Sequence, residues 1–388
     1  MWTVDRTMVQ WPASIHGHHP HREGKLPLWA LAVLAISAVA LILLLEWEKG
    51  NRPDPHRAEK ADAKNWMRLA MKAILDERIR LGIPIDPVTD PGRTGLIGAA
   101  YTDLTTTRGS LASKRTSTNP EFAAAIVGML KEAGVRRGDP VAVSFSGSFP
   151  ALNIAVLSAA RAMDLKPVVI SSLGASQYGA NVPGLTWLDM ERVLAAQELL
   201  PYRSRAASLG GIADTNGGLD GTGIDQGLRA IRRSGAPLLA GEGEDTLQAD
   251  IRRRMELYDR ELAGRRPAAF INVGGPLTSL GNVRGVDRMP TGLLKKIPAV
   301  RDPARGVLFL MGERGVPVVH LLKIRMIAAQ YGIPFDPALM PPGPAADTAG
   351  ASGYSASLAF TGLVLLLLVL FLLMRIAPCR GRIRGDGL

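Results

Sequence analysis

Short segments rich in serine and glycine follow several apolar stretches in the middle of the chain. They are 144–148 (Ser-Phe-Ser-Gly-Ser), 171–176 (Ser-Ser-Leu-Gly-Ala-Ser), 272–275 (Asn-Val-Gly-Gly) and 312–315 (Gly-Glu-Arg-Gly). Serine hydroxyls and backbone N–H groups donate hydrogen bonds, and a glycine lets a ligand approach the backbone closely. These residue types suit an anion held at the amino end of a helix. They also suit serine-capped turns that need no ligand.

Cationic side chains occur in two polar segments, 105–108 (Thr-Thr-Thr-Arg) and 113–119 (Ser-Lys-Arg-Thr-Ser-Thr-Asn). Arg and Lys bind carboxylate and phosphate groups through charge-assisted hydrogen bonds. We therefore predict one ligand site that draws on both kinds of segment. The candidate ligand-binding residues are Ser144, Ser146, Gly147, Ser148, Ser171, Ser172, Ser176, Asn272, Gly274, Gly275, Thr106, Arg108, Lys114 and Arg115.

Nucleophilic catalysis is a second interpretation of the 144–148 segment. Ser146 and Ser148 are the candidate nucleophiles, and His320, predicted one turn into a helix, is the candidate base. The segment lacks the first glycine of the G-x-S-x-G elbow, and a lone histidine in a helix is more often structural. The sequence therefore favours a binding element, with enzymatic activity left open. No Walker A, G-x-G-x-x-G or metal-ligand spacing occurs in the domain, so we expect no cofactor and no metal.

The elements that must position these residues alternate along the chain. Apolar periodicity predicts helices over 58–81, 121–132, 152–163, 191–200, 224–233, 244–262 and 316–331. Short apolar runs predict strands over 140–144, 167–170, 237–240, 268–273 and 307–311. This alternation predicts an α/β fold with a mostly parallel sheet and Rossmann-like βαβ units. The serine and glycine segments would then meet at the carboxyl edge of the sheet.

Two long apolar runs, 26–45 and 358–374, flank this region and are close to the length of a membrane-spanning helix. The predicted organisation is a cytoplasmic tail (1–25), a transmembrane helix (26–45), a helical stalk or packing helix (46–93), an extracytoplasmic α/β domain (94–337), an Ala/Gly/Pro linker (338–357), a second transmembrane helix (358–376) and a basic cytoplasmic tail (377–388).

The distribution of arginine predicts the orientation. Arg375, Arg380, Arg382 and Arg384 follow the core of the second apolar run, whereas 337–357 contains no Lys or Arg. The positive-inside rule then places both termini in the cytoplasm and the central domain outside. A cleaved signal peptide is the alternative for the first run. Residues 46–357 contain 39 Lys and Arg against 32 Asp and Glu, a net charge of +7. This charge favours anionic partners such as polymers, lipid headgroups or acidic metabolites, and we expect no nucleic acid.

Several strings in the domain resemble one bacterial family. They are Leu96–Thr107 (LIGAAYTDLTTT), Lys114–Pro120 (KRTSTNP), Ser144–Asn153 (SFSGSFPALN), Ser171–Ser176 and Thr186–Glu191 (TWLDME). The stretch from about Ala58 to Pro337 is similar to the poly-gamma-glutamate system proteins. The resemblance implies a membrane-attached accessory protein of poly-gamma-glutamate synthesis or export.

The expected partners of such a protein are the polymer, the membrane, and membrane components of the synthase and exporter. The resemblance supplies no catalytic residues. Two alternatives stay open. One is an extracytoplasmic serine hydrolase or transferase that acts on the polymer, and the other is a sensor of a small acidic metabolite.

Overall fold

The computed structural model describes residues 27–51, 54–211, 218–239, 247–282, 289–297, 304–337 and 356–376. The predicted tails and nearly all of the predicted linker lie outside these ranges. The chain divides into two compact units. One unit is Met1–Arg52 with Ser352–Leu388, and the other is Pro53–Ala351.

Helices and strands alternate through the described residues. The helices are α1 (Leu28–Asn51), α2 (Arg57–Arg80), α3 (Leu111–Ser117), α4 (Glu121–Glu132), α5 (Pro150–Ala162), α6 (Trp187–Ala196), α7 (Gly221–Ser234), α8 (Leu247–Glu261), α9 (Leu277–Leu280), α10 (Val307–Glu313), α11 (Ile324–Gln330) and α12 (Ala356–Ile376). The strands are β1 (Thr105–Thr107), β2 (Pro140–Ser146), β3 (Lys166–Ser172), β4 (Ala175–Ser176), β5 (Ser204–Ser208), β6 (Phe270–Val273), β7 (Gly292–Leu294) and β8 (Val318–Leu321).

The larger unit is built on a six-stranded sheet with the order β5-β3-β2-β6-β8-β7. All neighbouring strands are parallel except β7, which pairs antiparallel with β8. A second, two-stranded parallel sheet pairs β1 with β4. The predicted α/β class with a mostly parallel sheet is therefore confirmed.

Helices cover both faces of the six-stranded sheet. Val141, Val143 and Phe145 of β2 join a core formed with α2, α4 and α5. Ala142 lies on the opposite face, in a core formed with α8 and α10. Because strand side chains alternate between the two faces, a strand buried on both sides is apolar at consecutive positions. This explains why 140–146 contains no alternating polar residues before Ser144.

The helix predicted for 58–81 is α2, and its buried face is part of the domain core. Ala63, Met67, Ala70 and Ile74 are fully buried in the cluster that also holds α4 and α5. Their spacing of three to four residues places them on one side of the helix. α2 is thus a packing helix of the domain and not a free stalk.

Two assignments near the end of the domain are wrong. Residues 307–311, predicted as a strand, form helix α10, and 316–331, predicted as one helix, contains strand β8 followed by α11. Both segments are short apolar runs, for which periodicity does not separate a buried strand from a buried helix. The β-branched Val318-Val319 favours a strand, whereas Leu308–Met311 consists mostly of good helix formers. The run 237–240 forms only an isolated bridge from Leu238 to Ala207, and residue 240 lies outside the described ranges.

The smaller unit contains α1 and α12. Its two candidate membrane spans are Leu28–Glu48 and Ser357–Ile376, each with a mean hydropathy of 2.8. A Cβ built on Gly362 of α12 would lie 2.3 Å from Leu41 Cδ1 of α1, so the glycine permits a close approach of the two helices. These helices are long and apolar enough to cross a membrane, and their orientation stays a prediction.

Candidate functional site

The strand order defines a topological switch point. From β2 the chain continues to β3 and β5 on one side, and then returns to β6 on the other side of β2. The connections that leave β2 and β6 therefore diverge, and a crevice opens between their carboxyl ends. Ser146 ends β2 at this crevice, and Gly274 follows the end of β6.

A cavity of about 260 Å³ lies at this carboxyl edge. Its lining combines the ends of β2, β3, β5, β6 and β8 with β1 and α3. The described part of this lining contains two cationic side chains and no Asp, Glu or His. The lining residues are Thr106, Thr107, Arg108, Gly109, Ser110, Lys114, Ser146, Ser148, Phe149, Ser172, Gly174, Ser176, Gly210, Gly211, Gly275, Pro276 and Leu322.

Lys114 of α3 is the buried cation of the cavity, with only 2% of its surface exposed. Its Nζ donates to the Ser148 carbonyl and contacts Ser176 Oγ at 2.8 Å. The same ammonium lies 3.8 Å from the centre of the Phe149 ring, a cation–π geometry. Burial lowers the pKa of Lys114 from 10.5 to about 7, because no compensating carboxylate of the described residues pairs with it.

The loop after β2 is fixed by its own hydrogen bonds. The Ser148 N–H donates to Ser146 Oγ at 3.1 Å, and the Asn153 side chain donates to the Ser146 carbonyl at 3.0 Å. A Cβ on Gly147 would lie 2.2 Å from the Leu173 carbonyl oxygen, so no side chain fits there. The glycine of the predicted Ser-Gly-Ser segment is therefore required by packing between two loops.

Helix α5 begins directly at the cavity wall. Pro150 occupies its first turn, and Phe149 precedes it without a side-chain cap. A proline lacks the N–H, and the next N–H groups of an uncapped first turn have no intrahelical acceptor. These donors and the helix dipole add to the positive potential at the carboxyl edge of the sheet.

A buried arginine reaches the cavity lining from the other side. Arg254 of α8 is 1% exposed and donates through Nη2 to Ser172 Oγ at 3.1 Å and to Ser208 Oγ at 2.8 Å. Ser208 Oγ also lies 3.3 Å from Ser172 Oγ. Because Ser172 lines the cavity, the guanidinium polarises a hydroxyl of the cavity wall. No pattern in the sequence pointed to Arg254, since it lies in a helix of alternating charges.

The two-stranded sheet joins the two chain segments that form the mouth of the cavity. Thr107 of β1 pairs with Ser176 of β4, so the exposed Arg108 follows immediately beside Ser176. A Cβ on Gly109 would lie 2.3 Å from the Gln177 carbonyl oxygen. This close contact holds the Arg108 backbone against the loop after β4.

The structure gathers many predicted ligand residues around the cavity and leaves others outside it. Those in the lining are Thr106, Arg108, Lys114, Ser146, Ser148, Ser172, Ser176 and Gly275. The others have structural partners. Ser144 Oγ bonds Ser279 Oγ, Ser171 Oγ bonds Ser204 Oγ, and Arg115 forms an ion pair with Asp336 at 2.6 Å. Gly147, Asn272 and Gly274 hold the loops behind the lining.

His320 is placed differently from the prediction. It lies in strand β8, opposite Asn272, and is 1% exposed. Its Nδ1 is 3.0 Å from Asn272 Nδ2, which requires a neutral ring with an acceptor at Nδ1. Burial, with a smaller contribution from Lys323, lowers the pKa of His320 to about 4. Within the described residues, no hydrogen bond joins His320 to Ser146 or Ser148, so the predicted serine–histidine pair is not assembled.

The Gly312–Gly315 segment was predicted to follow a strand, and this is wrong. It joins the end of α10 to β8, and therefore lies before the amino end of β8. It belongs to the edge of the sheet opposite the cavity. Within the described ranges, no group of three or more His, Cys, Asp or Glu is arranged to hold a metal ion.

The fold and cavity define an α/β protein with a small polar, cationic site at the carboxyl edge of a parallel sheet. Comparison with family models, with curated proteins and with solved structures found no match.

Proposed function

We propose that the central domain binds a carboxylate-bearing ligand in the cavity at the β2–β6 switch point. The observation that carries this proposal is the buried ammonium of Lys114, which faces a cavity where none of the described lining residues is acidic. A ligand carboxylate would supply the missing negative charge. Arg108 at the mouth adds a second cation.

The hydroxyl-rich lining supports the same ligand class. Serine and threonine hydroxyl groups can rotate to donate hydrogen bonds to the oxygens of a carboxylate, and they add no charge of their own. The uncapped start of α5 adds backbone donors and the positive end of a helix dipole. The Arg254 guanidinium strengthens the polarity of Ser172 from behind. Each of these groups alone would attract an anion weakly, but all of them favour negative charge in the cavity.

We further propose that the ligand is poly-gamma-glutamate, because of the family resemblance of the domain and the two apolar helices at its flanks. The protein then serves polymer synthesis or export, with its domain outside the cytoplasm and both termini inside. A cavity of about 260 Å³ accommodates one residue or a chain end, and not a long segment of polymer. The partners are the polymer, the membrane and the membrane components of the synthase and exporter.

The cavity size also favours a second candidate, the sensing of a small acidic metabolite. A site of this size can hold either a free acid or the end of a polymer chain. The two differ only in whether the rest of a chain must leave through the mouth of the cavity. The serine–histidine hydrolase alternative has no such support, because His320 is neutral, buried and bonded to Asn272.

Binding to the full-length protein in detergent tests the proposal. Isothermal titration with glutamate, short γ-glutamyl oligomers and long polymer at pH 6 compares the ligand classes. Lys114→Met and Arg108→Gln are expected to weaken binding, each by roughly tenfold or more, the scale of one charge-assisted hydrogen bond. Lys295→Met removes the same charge from an exposed site outside the cavity and serves as the control.

The relative affinities for glutamate and for its oligomers distinguish the two candidate functions. Oligomers that bind more tightly than glutamate support a chain end, whereas tighter binding of glutamate supports the sensor. Absence of binding by every acid, or equal loss in Lys114→Met and Lys295→Met, would show that the cavity is not a carboxylate site.

A further inference from the structure

Lys114 and Ser176 form the closest amine–hydroxyl contact in the cavity lining. Nζ lies 2.8 Å from Ser176 Oγ and also donates to the Ser148 carbonyl. The carbonyl accepts a hydrogen bond only, so it fixes one N–H of the amine. In a neutral amine the lone pair is then available to accept the Ser176 hydroxyl proton. This is the arrangement in which a lysine activates a serine.

Burial favours the neutral form of the amine, and no carboxylate of the described residues pairs with it to offset that burial. The Ser148 carbonyl and the Phe149 ring favour the charged form, so both forms are accessible. Arg108 is the other charged residue of the described lining. Burial lowers the pKa of Lys114 to about 7, so a large fraction of the amine is unprotonated at neutral pH. A general base works best when its pKa lies near the working pH.

Ser176 is held in place by its backbone. Its N–H donates to Ser148 Oγ at 3.0 Å, and its strand pairs with β1 at Thr107. A Cβ on the nearby Gly179 would lie 2.9 Å from the Ser148 carbonyl oxygen, so the two loops pack closely. The hydroxyl and the amine therefore come from separate elements that are locked together before any substrate arrives.

We propose that Ser176 is the nucleophile of an acyl-transfer or hydrolysis reaction and that Lys114 is its general base. This inference goes beyond anion binding, and only the choice of an acidic acyl substrate rests on the proposed function. Ser146 and Ser148, the nucleophiles considered from the sequence, have no basic side chain bonded to their hydroxyls in the described residues.

The reaction balances without a cofactor. Ser176 Oγ attacks the carbonyl carbon of an amide or ester, and its proton moves to Lys114 Nζ. The tetrahedral intermediate then breaks the bond to the amine or alcohol, which leaves with the proton from Lys114. Water attacks the resulting Ser176 ester, gives a proton to Lys114, and the collapse of the second intermediate returns that proton to Ser176 Oγ while the acid is released.

A fluorophosphonate probe on the full-length protein in detergent tests the assignment. The expected result is a covalent adduct mapped by peptide mass spectrometry to Ser176. Its rate of formation is expected to rise about tenfold from pH 6 to pH 8, following the neutral fraction of a base with a pKa near 7. Ser176→Ala is expected to abolish the adduct, and Lys114→Met to slow it by roughly 10²-fold or more.

The Lys114→Arg variant separates the loss of the general base from the loss of the positive charge. Arginine keeps the positive charge but does not lose its proton at these pH values. The variant is expected to lose labelling, and a thermal melt that matches the wild type shows that the domain is folded. Labelling at the wild-type rate in this variant, an adduct on Ser146 or Ser148, or no adduct on a wild-type protein that still binds acids would overturn the serine–lysine assignment. The last of these outcomes would leave the proposed binding function intact.

Discussion

The affinity of the cavity for a carboxylate is expected to fall as the pH rises through neutrality. Burial lowers the pKa of Lys114 to about 7, so its charge is lost in a range where most lysines stay protonated. The only other ionisable group in the described lining is Arg108, whose guanidinium remains charged throughout this range. Because an anion binds the ammonium better than the neutral amine, protonation and binding favour each other.

The size of the effect follows from the charged fraction. With a pKa of about 7, Lys114 is about 90% charged at pH 6 and about 10% charged at pH 8. If only the charged form binds, the apparent Kd rises in inverse proportion to that fraction, about tenfold over this interval. Near pH 7, binding is expected to take up about half a proton, because the bound carboxylate raises the pKa of the amine.

Isothermal titration of the full-length protein at pH 6, 7 and 8, with constant ionic strength and a γ-glutamyl oligomer, measures both quantities. Repetition in buffers with different ionisation enthalpies gives the proton uptake. Lys114→Met is expected to bind weakly with no pH dependence, and Lys114→Arg is expected to retain its affinity at pH 8. An unchanged Kd from pH 6 to pH 8, or the same pH profile in Lys114→Met, would refute the reasoning.

Three further predictions concern packing, acid stability and topology. Gly147→Ala is expected to lower the free energy of unfolding by more than about 2 kcal/mol, because its Cβ has no space, whereas Gly221→Ala, in open space, has little effect in the same thermal melts. His320 stays neutral when folded, so stability is expected to fall by about 3 kcal/mol from pH 6.5 to pH 4, and His320→Gln reduces this loss. Single cysteines at Arg137 and Arg382, with the native cysteine replaced, are expected to react with an impermeant thiol reagent only at position 137 in intact cells.

The parts of the fold that sequence reasoning predicted are those with a strong local pattern. Helix α4 spans 121–132 as predicted, since Asn119-Pro120 marks its start and an amphipathic run follows. Strands β2 and β3 are continuous apolar runs that end in serine and glycine, which is typical of buried parallel strands. The order of the strands in the sheet depends on contacts between residues far apart in the chain, so a local sequence pattern could not predict it.

Residues of the candidate site were predictable from the sequence where a polar or cationic side chain lay in a predicted loop. Ser146, Ser148 and Lys114 were found in this way, but the same criterion included Ser144 and Arg115, whose partners are Ser279 and Asp336. Neighbouring positions on one strand or helix point in different directions, and only the fold decides which of them faces the cavity. Arg254 was missed because a helix of ordinary charged residues carries no sign of which one is buried.

The domain contains a second buried lysine, which shows what a structural lysine requires here. Lys64 of α2 is 7% exposed and lies 3.1 Å from the Glu121 carboxylate, so its charge is matched inside the protein. Lys114 is more deeply buried, and its contacts within the described residues are a carbonyl oxygen, a hydroxyl oxygen and an aromatic ring. A buried ammonium without an opposite charge costs free energy that an apolar residue of similar size would avoid. The two proposals give Lys114 a use that offsets this cost: an external anion supplies the opposite charge, or the neutral amine acts as a base toward a substrate in the cavity beside it.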